Sequence, residues 1–479
     1  MRFDGRVLVI GLGAVSRCLI PLILKHLDVD RSRITIMDGG DVGDAPELLR
    51  ADGLRFVPES IRRATHPEQM STYVGPGDLV VDLATELDSV EIVSWCHANN
   101  VLYVNTSIEE WSLAEGGPPL RSLLKLYREV REVVDTHHGS GATAVVDHGA
   151  NPGLVSHFAK QGLADIANRW LSENRSDSAR VEKIRAALQD KQFNRLAMAL
   201  GVKVIHISEK DTQIPRLPKR ENEFVNTWSV DAFLEESFAP SELSWGTHER
   251  KLPPRAKGNN GTMDQLEIEH MGWRTWVRSR IPSGEIMGMV IRHSETFSIA
   301  DMLTVEQNGT PRYRPTVHYA YCPCDAAIAS LRELQMRHFE RQSEQRIMND
   351  EIVEGRDELG VLLMGHDYRS WWTGSRLSIE EANRLVPGQN ATTLQVACSA
   401  LAAILWAIEN REHGPCFPEH LPHEYVLKVA RPYLGEFISK PLDWSPLHDW
   451  EGFFSHCNKR PKPSDKEEWQ FNTFLVPML

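Results

Sequence analysis

The sequence predicts an α/β protein in which a doubly wound parallel sheet forms one domain and a mixed α+β domain is inserted into it. Short apolar runs alternate with helical patterns over the first 150 residues, a glycine-rich turn directly follows the first run, and the alternation ends after Asn151-Pro-Gly153. Such alternation indicates βαβ units, whose strands are buried on both faces of the sheet. With 479 residues, the chain is long enough to fold around more than one core.

The first domain is predicted at residues 1–150. Short apolar runs predict its strands, at Val7–Ile10, Ile34–Met37, Leu79–Val81, Val101–Val104 and Ala144–Val146. Apolar residues at helical spacing occupy two of the intervals, from Val90 to Cys96 and from Leu120 to Val134. These two segments are therefore expected to be crossover helices between parallel strands.

The second domain is predicted at residues 151–389, where the pattern changes. A long helical pattern runs from Leu154 to Leu200, and strand-like runs follow at 202–207, 224–228, 276–280 and 287–292. The last two runs are joined by Pro282-Ser-Gly-Glu285, whose residues are typical of a tight turn. This combination of a long helical stretch and several strands predicts an α+β domain.

An apolar helix is predicted within residues 390–412, and residues 413–479 are predicted as a C-terminal extension. The helix should run from Leu394 to Ile408, with Asn390 as a favourable N-cap residue. Because it is apolar almost all round, it must be buried. No uninterrupted apolar run reaches membrane-spanning length and no signal-peptide pattern precedes the first strand, so contact with a membrane is not expected.

Charge and cysteine content restrict the classes of partner. The formal net charge of -13 would repel a phosphate backbone, so nucleic acid is not an expected partner. Seven cysteines without zinc-finger spacing indicate reduced thiols and therefore predict a cytoplasmic protein. A zinc site made of His293, His318 and Cys324 matches no recognised ligand spacing, so no metal is expected.

A dinucleotide-binding motif is predicted at the first strand-to-helix turn, Gly11-Leu12-Gly13-Ala14-Val15-Ser16. Gly11 permits the tight turn, and Gly13 lets the backbone approach a pyrophosphate at the helix N-terminus. Asp38 ends the second strand, where its carboxylate can accept hydrogen bonds from both ribose hydroxyls and would repel a 2′-phosphate. The motif and the acid together predict a Rossmann-type site for NAD rather than NADP.

The competing interpretation of this turn is an ordinary βα connection beside a chance aspartate. Ser16 replaces the third glycine of the motif, and Pro21 is expected to kink the following helix. Neither departure removes the phosphate site. Strand, turn, helix and acid agree, and this agreement favours the nucleotide site.

Acidic and aromatic residues lie close together in several segments of the second domain. The residues are Glu209, Trp228, Glu236, His293 and Glu295. Carboxylates bind ammonium groups and an indole face can hold a cation stripped of water, so the combination suits a diamine. His293 and Glu295 lie two apart on a predicted strand and would share one face, where they could assist proton transfer. For each residue taken singly, packing, a surface acid or a structural histidine is the competing interpretation.

The chain resembles the bacterial homospermidine synthases, which are related to the saccharopine dehydrogenases, over nearly its whole length. The segments that carry the resemblance are Gly11–Ser16, Val146–Gly153, Ile207–Thr212, Val225–Val230, Ser244–Glu249, Ile299–Asp301, Pro315–Asp325 and Asn390–Gln395. The first segment is common to many dehydrogenases. The Asn-Thr-Trp-Ser and His-Tyr-Ala-Tyr segments are specific to the synthase branch.

This resemblance implies a nucleotide-binding domain interrupted by a substrate-binding and dimerisation domain, with the helix after Asn390 returning to pack on the first domain. It implies a homodimer that keeps NAD as a prosthetic group. In such enzymes putrescine is oxidised to an imine, ammonia leaves, a second amine (putrescine or spermidine) condenses, and the same cofactor returns the hydride. The net redox change is zero.

The resemblance also implies roles for particular residues. Trp228 would hold the cationic imine by a cation-π contact. The amine-binding acids would be Glu109, Glu209 and Glu236, and the other pocket residues would be Asn151, His293 and Glu295. A base must take a proton from the attacking amine, and His293 oriented by Glu295 is the candidate. Cys322 stands where relatives are expected to have a histidine, so no role is assigned to it.

Two other functions are compatible with a nucleotide-binding turn. A saccharopine or carboxynorspermidine dehydrogenase would consume a reduced nicotinamide and would need an arginine for its substrate carboxylate; Arg274, Arg278 and Arg292 are candidates that the sequence cannot place. Asp38 and the acidic segments disfavour this alternative. A non-catalytic NAD-binding regulator would keep the glycine turn and lose Trp228 or the acids, yet both sets are present.

Overall fold

The computed structural model describes residues 1–117, 121–173, 178–450 and 462–476. The first domain is a seven-stranded parallel sheet in the order β22-β6-β5-β4-β1-β2-β3. Its strands are β1 (Val7–Ile10), β2 (Ile34–Met37), β3 (Arg55–Val57), β4 (Leu79–Asp82), β5 (Leu102–Asn105), β6 (Ala144–Val145) and β22 (Pro415–Cys416). Every neighbouring pair is parallel. This arrangement confirms the predicted fold class.

Helices cover both faces of this sheet. They are α1 (Ala14–His26), α2 (Ala45–Ala51), α3 (His66–Tyr73), α4 (Ser89–Ala98) and α5 (Leu123–His137). Along β1, Val7 and Val9 face one apolar core, and Leu8 and Ile10 face another. The strand is therefore apolar throughout, because both of its faces are buried. Helix α1 continues through Pro21 to His26.

The second domain is built on a ten-stranded mixed sheet. Its strands are β7 (Val204–Asp211), β10 (Pro240–Ser244), β11 (Ala256–Asn259), β12 (Thr262–Met271), β13 (Trp276–Ile281), β14 (Gly284–Met289), β17 (Thr316–Cys322), β20 (Arg356–Met364), β21 (Ser370–Ser378) and β23 (Glu436–Pro441). At its centre β7 lies between β17, which is parallel to it, and β20, which is antiparallel. This central position places the residues of β7 in the core of the domain.

Three two-stranded sheets complete the described part of this domain, and the remaining helices of the described residues pack on one domain or the other. The small sheets pair β8 (Ile214–Pro215) with β19 (Ile352–Glu354), β9 (Glu223–Asn226) with β18 (Glu344–Ile347), and β15 (Val305–Gln307) with β16 (Thr310–Tyr313). The helices are α6 (Leu154–Glu173), α7 (Ser178–Gln189), α8 (Phe193–Leu200), α9 (Val230–Phe238), α10 (Glu295–Leu303), α11 (Asp325–Met336), α12 (Ile379–Leu385), α13 (Ala391–Glu409), α14 (His423–Ala430) and α15 (Phe471–Phe474).

The strand predicted at 287–292 ends earlier than expected, and this changes the setting of two candidate residues. Strand β14 stops at Met289, and Glu295 is the first residue of helix α10. The prediction that His293 and Glu295 share one face of a strand is therefore wrong. The run from Met287 to Ile291 is mostly apolar, as in a buried strand, but the sheet pairing ends at Met289 and the buried face of α10 begins the helix at Glu295.

Helix α13 confirms the prediction of a buried apolar helix. Its N-cap is Asn390, whose Oδ1 accepts a hydrogen bond of 2.7 Å from the Thr393 backbone. Among the described residues it is the one helix whose length and composition would allow it to cross a membrane, yet 89% of that window is buried inside the protein. It packs against α1 and β5 of the first domain, so these residues belong to the core of that domain.

The described part of the predicted C-terminal extension contributes to both sheets. Strand β22 pairs with β6 at the edge of the first sheet, and β23 pairs with β21 at the edge of the second. Helix α15 packs against the second sheet through Phe471 and Phe474. The described residues after 413 therefore contact both domains.

Candidate active site

The N-terminus of α1 is open to a ligand. Gly11 has a φ of +88°, and a Cβ there would lie 2.9 Å from the backbone nitrogen of Ala84, so this tight turn requires glycine. Gly13 precedes the helix, and a Cβ at this position would have no neighbour within 4 Å. Ala14 and Val15 follow it and are partly exposed. Free space in front of unpaired helix N–H groups is the arrangement that binds a phosphate.

Asp38 is held at the end of β2 beside this turn. Its Oδ2 accepts a hydrogen bond of 2.6 Å from the Leu12 backbone, and its Oδ1 accepts one of 2.7 Å from the Gly40 backbone. Each oxygen keeps a free lone pair for a ribose hydroxyl. A 2′-phosphate placed here would repel the carboxylate, so the residues fit NAD better than NADP. Ser16 is buried, and its hydroxyl donates to the Gly11 carbonyl within the turn.

Glu209 lies at the centre of the second sheet, on β7. Its Oε2 accepts a hydrogen bond of 3.2 Å from the Asn151 amide, and it also accepts one from the Tyr319 hydroxyl. Burial raises the pKa of Glu209 to about 7, although both donors oppose the rise. Asn151 belongs to the loop that leaves the first domain, so this contact joins the two domains.

Trp228 follows β9 and is linked to Glu209 through two tyrosines. Its indole Nε1 donates a hydrogen bond of 3.0 Å to the hydroxyl of Tyr321. The ring of Tyr321 is stacked on that of Tyr319, with centroids 5.3 Å apart and planes at 16°. Phe233 of α9 meets the indole in a T-shaped contact of 5.5 Å. The indole is partly exposed, and these contacts fix its plane.

His293 lies between two carboxylates. Its Nε2 is 2.9 Å from Glu236 and its Nδ1 is 3.3 Å from Glu295, which is completely buried. The imidazole ring lies 4.5 Å from the ring of Tyr319. Burial alone would lower the pKa of His293, but Glu236 and Glu295 outweigh it and raise this pKa well above its usual value. The two carboxylates therefore favour the protonated form of His293.

Six of the seven predicted catalytic and substrate-binding residues are joined in one network. Contacts through Tyr319 and Tyr321 connect Asn151, Glu209, Trp228, Glu236, His293 and Glu295. We call this set, with the two tyrosines, the amine network. Its predicted members come from five separate segments of the chain, and the fold brings them together.

Glu109, the seventh predicted residue, is in the first domain and has no hydrogen bond to the amine network. It faces α9 across a cavity of about 500 Å³ between the domains. The residues that line this interdomain cavity are Thr85, Glu86, Glu109, Asp231, Ala232, Leu234, Glu235, Phe238, Leu334, Phe339 and Arg341. Burial raises the pKa of Glu109 to about 8, while the Ser107 hydroxyl, at 2.8 Å, stabilises its charged form.

Two further carboxylates lie beside Glu209, and neither was predicted to have a role. Asp211 accepts hydrogen bonds from Thr227, at 2.6 Å, and from the Gln213 backbone. Asp357 lies opposite Asp211 in the register between β20 and β7. Burial raises the pKa of both, to about 6 for Asp211. The period of two along β7, which puts Asp211 on the same face as Glu209, was the available signal.

The two tyrosines were also missed, although they belong to the His-Tyr-Ala-Tyr segment that carried the resemblance. Tyr319 and Tyr321 are both buried on β17, two residues apart and therefore on one face. Cys322 ends the same strand and is partly exposed. Burial raises the pKa of this thiol to about 11, so it stays neutral at physiological pH.

Comparison with known proteins identifies the family. The saccharopine dehydrogenase NADP binding domain matches residues 7–145, and the saccharopine dehydrogenase C-terminal domain matches residues 149–442. Homospermidine synthase from Blastochloris viridis is 39% identical over 486 residues, covering 99% of this chain and 98% of that protein. The homospermidine synthase of Mesorhizobium japonicum is 36% identical over 483 residues, covering 98% of this chain and 96% of that protein.

A solved structure agrees with these sequence matches. The homospermidine synthase of Legionella pneumophila, determined in complex with NAD, superposes with a TM-score of 0.89 at 35% identity, covering 100% of this chain and 99% of that one. The resemblance predicted from the sequence is confirmed. The protein therefore belongs to the homospermidine synthase family, whose enzymes share the domains of the saccharopine dehydrogenases.

Proposed function

We propose that the protein is an NAD-dependent homospermidine synthase, which transfers the aminobutyl group of one putrescine to a second amine and releases ammonia. The observation that carries this proposal is the amine network, in which buried carboxylates, an indole and an imidazole meet at the boundary between the domains. Bound NAD would take a hydride from the donor carbon and return it after the new C–N bond has formed.

Buried carboxylates provide the means of binding one end of a diamine. Glu209, Asp211 and Asp357 lie on neighbouring strands, and the burial of each raises its pKa. An ammonium group among these carboxylates would stabilise their charged forms. This attraction would compensate for the hydration that the ammonium group and the carboxylates lose on burial. The same low polarity that makes these acids weak strengthens their attraction for a cation.

Trp228 is placed to stabilise a cationic imine. Its N–H group is already bonded to Tyr321, and Phe233 holds it from the side. These contacts leave the negative face of the ring to interact with a cation. The proposed imine must survive until the second amine arrives, and the partly buried indole also limits the access of water to it.

Two groups of the network are suited to move protons. Because Glu236 and Glu295 favour the protonated form of His293, this residue is suited to donate a proton to the departing amine and to take one back from the attacking amine. Glu209, whose pKa is about 7, can accept a proton from an ammonium group that must become neutral. In this assignment His293 acts first as a general acid and, after ammonia has left, as a general base.

The arginines argue against a substrate carboxylate, and therefore against the dehydrogenase alternative. Arg278 binds Glu285 and the carbonyls of Pro446 and His448. Arg274 lies over the ring of Trp273. Arg292 binds Glu235 and the Arg121 carbonyl. Each of the three candidate arginines already has a partner within the protein.

Incubation of the purified protein with NAD and putrescine alone tests the proposal. We expect mass spectrometry to detect homospermidine and an equal amount of ammonia, with no accumulation of NADH, because the hydride returns to the product. Formation of a product only when a reduced nicotinamide is supplied in stoichiometric amount would eliminate the synthase and favour the dehydrogenase alternative.

We further infer that the enzyme works as a homodimer in the cytoplasm. Ile214, Leu217, Ile347 and Val353 are exposed apolar side chains on and beside the two small sheets β8–β19 and β9–β18, as at many subunit interfaces. The six described cysteines are free thiols, as expected in a reducing compartment. Light scattering of the purified protein tests the dimer, and fractionation of the producing cells tests the location.

A further inference from the structure

Two arginine–carboxylate pairs at the interdomain cavity take no part in the chemistry proposed above. Both carboxylates lie on α9, one turn apart: Asp231 binds Arg341, and Glu235 binds Arg292. Asp231 and Glu235 both line the cavity. The pairs differ in burial, because the Arg292 side chain is 3% exposed and that of Arg341 is 56% exposed.

Arg292 is a buried cation with few partners. One nitrogen donates a hydrogen bond of 2.7 Å to the Arg121 carbonyl, and another donates to Glu235. Glu242 lies 3.9 Å away, beyond hydrogen-bond distance. A buried guanidinium that loses its bonded carboxylate is poorly compensated, and its planar geometry is well suited to bind a replacement carboxylate.

The position of this pair connects it to the amine network. Arg292 directly precedes His293, and Glu235 directly precedes Glu236, whose carboxylate contacts His293 at 2.9 Å. The side chain of Glu235 is about half exposed, at 49%, and its carboxylate reaches Arg292 from the cavity side. It therefore occupies the place where the acidic end of a substrate would meet Arg292.

We propose that Glu235 is a specificity-determining residue, which neutralises Arg292 and thereby excludes carboxylate-bearing amines as acceptors. This inference rests on the proposed function and refines it. With Glu235 in place, an approaching carboxylate meets the acids Glu86, Glu109 and Glu235. Without Glu235, it meets a guanidinium that has lost its hydrogen-bonded carboxylate and whose remaining acid, Glu242, lies 3.9 Å away. Specificity of this kind depends on repelling the wrong ligand as well as binding the right one.

The acceptor that would reveal this role is 4-aminobutanoate, which is similar in length to putrescine and has a carboxylate in place of one amine. Its nitrogen would bond to the donor carbon that loses ammonia, and the hydride removed from that carbon would return to it. The product is an aminobutyl derivative of 4-aminobutanoate plus ammonia. No external oxidant or reductant is consumed.

The test is a competition between equal concentrations of putrescine and 4-aminobutanoate, with the two products measured by mass spectrometry. In Glu235→Ala we expect the ratio of carboxylated product to homospermidine to rise about tenfold or more over the unsubstituted enzyme, as for a gained charge-assisted hydrogen bond. Asp231→Ala is the matched control. It removes the same charge from the same helix but frees an exposed arginine, so the ratio should change less than about threefold.

The outcomes separate this inference from the proposed function. Putrescine alone, with the unsubstituted enzyme, tests homospermidine formation, whereas the ratio of products tests the role of Glu235. An unchanged ratio in an active Glu235→Ala, or an equal rise in both variants, would overturn the inference. If the alanine variant does not fold, Glu235→Gln replaces it. If a variant folds but has no turnover, calorimetry with the NAD-loaded variant measures its affinity for 4-aminobutanoate. An affinity no higher than that of the unsubstituted enzyme would overturn the inference.

Discussion

The nucleotide end and the amine end of this protein are built in different ways. At the nucleotide end the backbone forms the site: a glycine turn, open helix N–H groups and one acid, all within the first 40 residues. At the amine end, side chains from distant segments form the site, joined through Tyr319 and Tyr321. The first site depends on local conformation and the second on tertiary packing. A substitution in one site should therefore impair that site and leave the other intact.

The largest effect is expected at the nucleotide end. Gly11→Val places a branched side chain where φ is +88° and where the backbone of Ala84 leaves no room for a Cβ. The unfavourable φ alone costs about 1–3 kcal/mol, and the collision adds to it. We expect the purified variant to lack NAD, measured by absorbance of the released nucleotide, and to have no detectable turnover.

A matched glycine separates loss of the site from backbone strain in general. Gly77 has a φ of +82°, but a Cβ there would have no neighbour within 4 Å. Gly77→Ala should therefore retain NAD and turnover. Retention of NAD by Gly11→Val would contradict the assignment of the turn as the nucleotide site.

A smaller effect is expected from Trp228→Ala at the amine end. A cation-π contact with a desolvated cation contributes about 2 kcal/mol, so its removal should reduce turnover about 30-fold. NAD content should not change, because no contact of Trp228 involves the turn at Gly11. Steady-state kinetics and measurement of bound NAD check the two parts of this prediction.

Two variants control for packing. Trp228→Phe keeps an aromatic face and should recover part of the turnover, whereas Trp245→Phe changes a tryptophan that packs on Phe471 and should have little effect. A Trp228→Ala enzyme that loses NAD and turns over normally once NAD is restored would reject the assigned role.

The same contrast explains how much could be predicted from the sequence. The nucleotide turn and Asp38 are local patterns with a physical meaning at fixed spacing, and the strands around them were predicted almost to the residue. Strand β3 was missed because Arg55-Phe-Val57 is a short edge strand with one buried residue. It gives too few apolar positions to show a period.

The amine end was predicted through the family resemblance, and the geometry that joins its residues was not predicted. The bond from Tyr319 to Glu209 and the pairing of Glu235 with Arg292 are tertiary contacts between residues 110 and 57 positions apart. Nothing in local sequence specifies them. No local signal marks the start of α10, which depends on packing. The predicted strand was therefore extended through His293.

The smallest effect is a shift in pH dependence that tests the link between the tyrosines and Glu209. The Tyr319 hydroxyl donates to Glu209 and lowers its pKa, which burial has raised to about 7. In Tyr319→Phe the pKa should rise, by about one unit or less for one hydrogen bond. If the charged form of Glu209 is the active one, the acidic limb of the profile of kcat/KM against pH, where activity rises with pH, moves to higher pH.

Tyr321→Phe is the matched control for this shift. It removes the hydroxyl that binds Trp228, while the bond from Tyr319 to Glu209 remains. Asp211, Asp357 and His293 also act on Glu209, and both variants keep all three. Turnover should therefore fall in Tyr321→Phe without movement of the acidic limb. An identical limb in Tyr319→Phe and the unsubstituted enzyme would show that Glu209 does not govern it.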